Sequence, residues 1–142
     1  MKKVAVVYWT GSGNTEQMAQ AVAEGITAGG GEAVLLNVSD ASPEDVWKAD
    51  AAALGCPSMG AEVLEEGEME PFVETLVGGE LTGKPMALFG SYDWGNGEWM
   101  HDWEERMKAA GAQLVDDGLI TRLNPDDEAL ENCRALGKRL AG

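Results

Sequence analysis

The sequence is poor in the residues that build metal sites and disulfides. Its 142 residues include two cysteines, Cys56 and Cys133, and a single histidine, His101. The cysteines form no CxxC motif, and with one histidine they make no zinc-ligand set. We therefore expect no metal site and no disulfide, and we expect both thiols to be reduced packing residues.

Basic residues are scarce and long apolar runs are missing. The chain has 10 lysines and arginines against 25 aspartates and glutamates, so its net charge is −15. This charge excludes a general nucleic-acid role, because phosphate backbones require a basic footprint. No run approaches the roughly 18 apolar residues of a membrane span. No cleavage site follows the apolar segment from Val4 to Trp9, which we interpret as the first strand of a cytoplasmic protein.

Strand-like and helix-like segments alternate along the whole chain. Strands are predicted over 4–9, 33–38, 51–56, 85–90 and 113–122, the last with a break at Asp117-Gly118. Helices are predicted over 15–28, from Pro43, over 71–77 and 98–110, and over 125–140 with Asn124 as the cap. Five βα units predict one domain over residues 1–142, with a parallel sheet covered by helices on both faces. Ligands of such folds bind beyond the carboxyl ends of the strands.

The first of these carboxyl-end loops has the composition of a phosphate-binding loop. Its residues are Thr10, Gly11, Ser12, Gly13, Asn14 and Thr15, and a helix follows directly. Glycines let the backbone approach a ligand, and helix N-terminal amides attract anions. The loop contains no lysine or arginine, which argues against a Walker loop, and Glu16 breaks the dinucleotide fingerprint G-x-G-x-x-G. We predict a neutral, donor-rich loop that holds a terminal phosphate.

Two later loops carry residues suited to a flat ring. Met59 lies beside a glycine after the third strand, where a thioether can pack on a ring. Trp94 lies among glycines and polar residues after the fourth strand, so it is poorly explained as core. Trp99 and Trp103 are four residues apart on the next helix and are predicted to pack in the core.

These three loops together resemble the short-chain, clostridial type of flavodoxin. The segments YWTGSGNTE, LGCPSMGAEVLE and ALFGSYDWGNGEWM carry the resemblance, in the right order and at the right strand ends. It implies a flavodoxin-like doubly wound sheet of five parallel strands in the order 2-1-3-4-5. It also implies a low-potential one-electron carrier with a tightly bound, non-covalent FMN, which cycles mainly between semiquinone and hydroquinone.

The resemblance also implies roles for individual residues. Loop 10–15 would hold the FMN phosphate, Met59 and Trp94 would cover the inner and outer faces of the isoalloxazine ring, and Glu62 would accept from flavin N3–H. Asp93 stands where related chains often have glycine, and Ala61 where they have an acidic or polar residue. The predicted cofactor-binding residues are Thr10, Gly11, Ser12, Gly13, Asn14, Thr15, Pro57, Ser58, Met59, Gly60, Ala61, Glu62, Ser91, Tyr92, Asp93, Trp94 and Gly95.

No catalytic residue is expected, and the partners are expected to be redox proteins that dock on the acidic surface near the flavin edge of a monomer. Three alternatives stay open. The chain could be a small FMN-dependent NAD(P)H or quinone reductase, or a dedicated flavoprotein activator of one enzyme. It could also be a phosphate-binding or signalling module without flavin.

Overall fold

The computed structural model describes residues 2–60, 62–79 and 81–142. The strands are β1 (Lys3–Tyr8), β2 (Glu32–Asn37), β3 (Ala51–Gly55), β4 (Pro85–Tyr92), β5 (Gln113–Leu114) and β6 (Leu119–Arg122). The helices are α1 (Asn14–Ala28), α2 (Pro43–Trp47), α3 (Met69–Val77), α4 (Glu98–Ala109) and α5 (Asp127–Ala141). A short 3₁₀ turn, Val38–Asp40, follows β2.

The strands form one parallel sheet in the order β2-β1-β3-β4-β5, and β6 also pairs with β4. The predicted order 2-1-3-4-5 is confirmed. The predicted fifth strand is divided into β5 and β6, which pair with the first and second halves of β4. Between them the backbone N–H of Gly118 donates to Glu104 Oε2 (2.5 Å) on α4, instead of joining the ladder.

Alternation along the strands separates two apolar layers. In β1, Ala5 and Val7 pack with residues of α2, α3 and α4, whereas Val4 and Val6 pack with residues of α1 and α5. All four are buried. The sheet is therefore covered on both faces, which is the condition under which continuous apolar strands such as β1 are stable.

The two tryptophans of α4 are core residues, as predicted. Both are 1% exposed. Trp99 Nε1 donates to the carbonyl of Cys56 (3.2 Å), while Trp103 Nε1 has no hydrogen-bond partner among the described residues. Trp99 thereby ties α4 to the carboxyl end of β3, where the second of the three loops begins.

One predicted helix cap is wrong. Asn124 was predicted to cap the last helix, but Asp126 occupies the cap position, and its Oδ1 accepts from the backbone N–H of Ala129 (2.8 Å). Asn124 Oδ1 instead accepts from Gln17 Nε2 (3.3 Å) on α1. Asn124 therefore links α1 to the segment before α5, and α5 begins two residues later than expected.

Both cysteines are free and buried, as predicted. Burial raises the pKa of the Cys56 thiol to about 12, and likewise that of Cys133 to about 12. Both side chains are therefore neutral packing groups at physiological pH. In the part of the chain that the structure describes, no helix is long and apolar enough to cross a membrane, and no group of three potential metal ligands is found.

Candidate functional site

The loop after β1 leaves several backbone donors unpaired at the start of α1. Gly13 is the N-cap with φ +96°, and no side chain of a described residue caps the helix. The loop is closed by the backbone N–H of Gly13, which donates to Thr10 Oγ1 (3.0 Å), and the first helical bond is Gln17 N–H to the Gly13 carbonyl (3.1 Å). The amides of residues 14 to 16 precede that bond and have no helical partner. This set of N–H groups favours an anion without the help of a lysine or arginine.

Thr15 anchors this loop to the end of β4. Thr15 and Ser91 are 1% and 5% exposed, and their hydroxyl oxygens are 3.1 Å apart. The backbone N–H of Ser91 also points at Thr15 Oγ1 (3.4 Å). The first and third loops are thus held together by two buried hydroxyls, and Thr15 serves this link rather than lining the groove between them.

The loop after β3 is a short hairpin turn. Met59 and Val63 exchange two backbone hydrogen bonds, Met59 N–H to the Val63 carbonyl (2.9 Å) and Val63 N–H to the Met59 carbonyl (3.0 Å). Gly60 has φ +43° and Glu62 has φ +56°. Ala61, a predicted site residue, lies outside the described residues. A second tie runs from Ser58 N–H to the Ser91 carbonyl (3.0 Å), so this loop is also fixed to β4.

Glu62 joins the second loop to the third. Its Oε1 accepts from the backbone N–H groups of Gly97 and Glu98, each at 3.2 Å, at the N-terminus of α4. A Cβ on Gly95 would lie 2.4 Å from this carboxylate. Glu62 therefore supplies the cap that Gly97 lacks. Its predicted bond to flavin N3–H stays a prediction, and Oε2 makes no hydrogen bond to the described residues.

The third loop places Asp93 and Trp94 at the rim. Arg122 Nε donates to the backbone carbonyl of Asp93 (3.2 Å), which fixes the start of the loop against β6. Trp94 is 59% exposed. A large apolar side chain this accessible is unusual in a core-forming role, which agrees with the sequence interpretation.

A groove of about 320 Å³ lies between the three loops. Nine of the predicted residues line it: Gly11, Ser12, Asn14, Pro57, Ser58, Met59, Ser91, Tyr92 and Asp93. Thr10, Thr15 and Glu62 hold the loops in position instead of lining the groove. The other described residues that were predicted but do not line it are Gly13, Gly60, Trp94 and Gly95.

The groove also contains Trp9 and Leu123, which the sequence reasoning missed. Trp9 follows the last residue of β1, and its Nε1 donates to Glu68 Oε1 (3.3 Å). Leu123 follows the last residue of β6. Both stand at carboxyl ends of parallel strands, so the rule that locates ligands at that edge was a usable signal for them.

The donors and the apolar walls of the groove fit FMN. The first loop brings free amides and hydroxyls to the lining, and Met59, Tyr92, Trp9 and Leu123 provide apolar surface. The volume is at the lower end of the roughly 300–1,000 Å³ typical of small-molecule sites. The donors can hold a phosphate, and the apolar side chains can pack against a flat ring.

The carboxylate of Glu65 organises the turn before α3. Burial alone would raise the pKa of its carboxyl, but backbone hydrogen bonds from Met69, Glu68 and Gly67 together lower it below its usual value. Those bonds measure 2.9, 2.7 and 2.7 Å and fix the turn before α3. The ionised Glu65 is therefore a structural group of this segment.

Comparison with known proteins agrees with the fold and the loops. The family model described as Flavodoxin matches residues 6–137. A flavodoxin of Clostridium beijerinckii is 47% identical over 136 residues, which cover 96% of this chain and 97% of the relative. The solution structure of two-electron reduced Megasphaera elsdenii flavodoxin has a TM-score of 0.85 at 39% identity, and covers 97% of this chain and 98% of that one.

An archaeal flavodoxin structure has a TM-score of 0.89 at 32% identity, and covers 98% of this chain and 96% of that chain. The resemblance therefore extends over the whole fold and includes all three loops. The chain belongs to the flavodoxin family of FMN-binding electron carriers, and it is an electron-transfer protein rather than an enzyme.

Proposed function

We propose that the groove between the three loops is the FMN site of a low-potential one-electron carrier. The observation that carries the proposal is the contrast within the groove. Unpaired amides without a neighbouring lysine or arginine stand at the start of α1, and Trp9, Met59, Tyr92 and Leu123 add apolar side chains to the lining. When bound, FMN supplies the one-electron redox chemistry; the chain supplies its position and its electrostatic surroundings.

In this proposal loop 10–15 holds the phosphate through the amides before the first helical bond. Met59 and Trp94 cover the two faces of the ring, and Glu62 accepts from its N3–H through the oxygen that is not engaged with α4. Thr15 and Ser91 keep the first and third loops at a fixed spacing. Adding FMN to the apoprotein should quench flavin and tryptophan fluorescence and saturate at one equivalent. Absence of saturable binding would contradict the site.

The charges near the groove oppose a second negative charge on the ring. Asp93 lines the groove, Glu62 adjoins it, and the phosphate loop has no cation. Negative charges that are partly shielded from water repel a further negative charge, so the uptake of each added electron becomes less favourable. We therefore propose that the second one-electron potential is much lower than the first.

Replacing Asp93 with asparagine tests this charge effect. Asp93→Asn keeps the size of the side chain and removes its charge, so the second potential should rise by a few tens of millivolts, as expected for a screened unit charge at short range. Glu32→Gln is the matched control, since Glu32 starts β2 at the opposite edge of the sheet. A second potential that stays equal to that of the wild type would show that the Asp93 carboxylate faces solvent.

Gly60→Ala tests the role of the turn after β3. With φ at +43° and no atom within 4 Å of a Cβ, the cost of alanine here is purely conformational. That cost is roughly 1 kcal/mol. We propose that this turn presents a peptide carbonyl to the reduced ring, so the first potential should fall by about 40 mV.

The control for Gly60→Ala is Gly30→Ala. Gly30 has φ +89° and equally open surroundings, but it lies in the turn before β2, far from the groove. The control should lose similar stability and keep both potentials. An unchanged first potential in Gly60→Ala would remove the turn from the mechanism.

The rim of the groove suits a basic redox partner. Asp93 and Glu98 are exposed there, and Glu68 is held by Trp9, while Arg122 is occupied with the Asp93 carbonyl. An acidic rim accelerates encounter with a cationic surface in a salt-dependent way. Oxidation of the reduced holoprotein by hexaammineruthenium(III) should therefore slow as salt is added, and oxidation by hexacyanoferrate(III) should speed up. An equal dependence of the two oxidation rates on salt would contradict an acidic docking face.

We further propose that residues 1–142 act as one monomeric domain in the cytoplasm. The two buried free thiols suit a reducing compartment. The net charge of −15 favours a monomer through mutual repulsion. Sedimentation of the holoprotein at physiological salt should give a single species of about 15 kDa.

A further inference from the structure

We infer that Leu123 is a cofactor-contacting residue, and that contact with FMN offsets an unfavourable backbone conformation at this position. This inference rests on the proposed FMN site, because the groove must be the place where the cofactor binds. It adds a fourth strand end, that of β6, to the three loops that the sequence identified.

The position of Leu123 is fixed by the sheet. Tyr92 and Arg122 are register partners in the β4–β6 pair, and the backbone N–H of Leu123 donates to the Tyr92 carbonyl (2.7 Å). The ladder therefore continues one residue beyond β6. This bond brings Leu123 beside Tyr92, and both line the same groove as Gly11 and Ser12 of the phosphate loop.

The backbone of Leu123 is in the left-handed region, with φ +58°. Among the described residues, only Glu62 shares a positive φ without being glycine. Asparagine and aspartate tolerate this conformation far better than a branched apolar side chain does. Asn124 is the very next residue, yet the structure places the leucine at the strained position.

The side chain of Leu123 is also incompletely buried. It is 48% exposed, although it borders a groove whose other apolar walls are Trp9, Met59 and Tyr92. An apolar side chain gains free energy when a ligand removes it from water. A strained, half-exposed leucine at this place contributes little to the apoprotein, and its benefit is realised when the groove is filled.

Two substitutions separate the strain from the contact. Leu123→Asn relieves the backbone cost and removes the apolar side chain, so the apoprotein should melt about 3 °C higher while FMN binds about 10-fold more weakly. Leu123→Ala keeps the strained φ and removes the contact, so FMN affinity should fall to a similar extent with no gain in apoprotein stability. Leu35→Ala is the control, because Leu35 is an exposed leucine on β2 and should leave FMN affinity unchanged.

The measurements are FMN dissociation constants from flavin fluorescence and thermal unfolding of the apoproteins. Opposite signs for stability and affinity in Leu123→Asn would support the inference, since a purely structural residue would lose both together. FMN affinities within 2-fold of the wild type in both Leu123 variants would overturn it. Failure of the wild type itself to bind FMN would instead overturn the proposed site.

Discussion

Riboflavin should bind this protein about 1,000-fold more weakly than FMN. The two ligands differ only in the phosphate, which is predicted to engage the unpaired amides at the start of α1. Charge-assisted hydrogen bonds to a buried anion contribute roughly 1.5–3 kcal/mol each, and each 1.4 kcal/mol is a factor of ten in affinity. Two or three such bonds suffice for the expected ratio.

A substitution in the loop sharpens this prediction. Ser12 is exposed and lines the groove, and Ser12→Asp adds a negative charge beside the phosphate position. FMN should then bind about 100-fold more weakly, through like-charge repulsion, and riboflavin should bind as before. Gln113→Glu is the control for Ser12→Asp, because it adds the same charge at the start of β5, away from the loop. It should leave the affinities for FMN and riboflavin unchanged.

Fluorescence titration of the apoproteins with both ligands gives the four affinities that matter. Equal binding of FMN and riboflavin to the wild type would show that the loop does not hold the phosphate. A parallel loss of both ligands in Ser12→Asp would indicate that the loop was merely distorted.

Gly90→Ala should lower the free energy of unfolding by about 3 kcal/mol, the upper end of the usual cost of overpacking. A Cβ on Gly90 would lie 2.1 Å from the carbonyl oxygen of Cys56 and 3.0 Å from its carbonyl carbon. Those atoms belong to backbone at the end of β3 and cannot move aside as a flexible side chain does. The same carbonyl accepts from Trp99 Nε1, so its displacement also weakens the link to α4.

The Gly90 substitution should also reduce FMN affinity, because it forces apart the two strand ends that carry Met59 and Asp93. Gly78→Ala is the matched control: its Cβ would be 3.4 Å from the nearest atom, the Thr75 carbonyl oxygen, and φ is −81°. Urea unfolding of both variants tests the difference. A free energy of unfolding of Gly90→Ala within about 0.5 kcal/mol of the wild type would contradict the predicted overpacking, since a change that small is typical of a neutral surface site.

The helices, the strands and the three loops were predictable because each depends on local signals. Apolar runs mark the strands, and caps and glycines mark where helices begin and end, so each signal lies within the segment it predicts. The composition of loop 10–15 alone pointed to a phosphate. The strand order came from the resemblance, since periodicity does not distinguish the common doubly wound orders.

The errors lie where tertiary contacts decide between equal local signals. Asn124 and Asp126 are both good caps around Pro125. Asn124 accepts a hydrogen bond from Gln17 on α1, and Asp126 accepts from the Ala129 amide and caps the helix. The break in the fifth strand, in contrast, was predicted at Asp117-Gly118, and the structure has it there, where the Gly118 N–H donates to Glu104.

The groove itself shows the same limit. Glu62 could be placed near the site from its motif, but its bonds to Gly97 and Glu98 join segments about 35 residues apart in the chain. The only sequence signal for Leu123 was its position after a predicted strand, because its place in the groove follows from the pairing of β6 with β4. Such contacts exist only once the sheet is formed.

Stepwise reduction of the holoprotein, followed by absorbance, tests the electron-carrier function most directly. A single-electron carrier should accumulate its one-electron-reduced form, with long-wavelength absorbance, after one electron equivalent, and the second equivalent should require a much stronger reductant. Conversion straight to the two-electron-reduced form without this absorbance would contradict the role we assign to the charges and the turn around the groove.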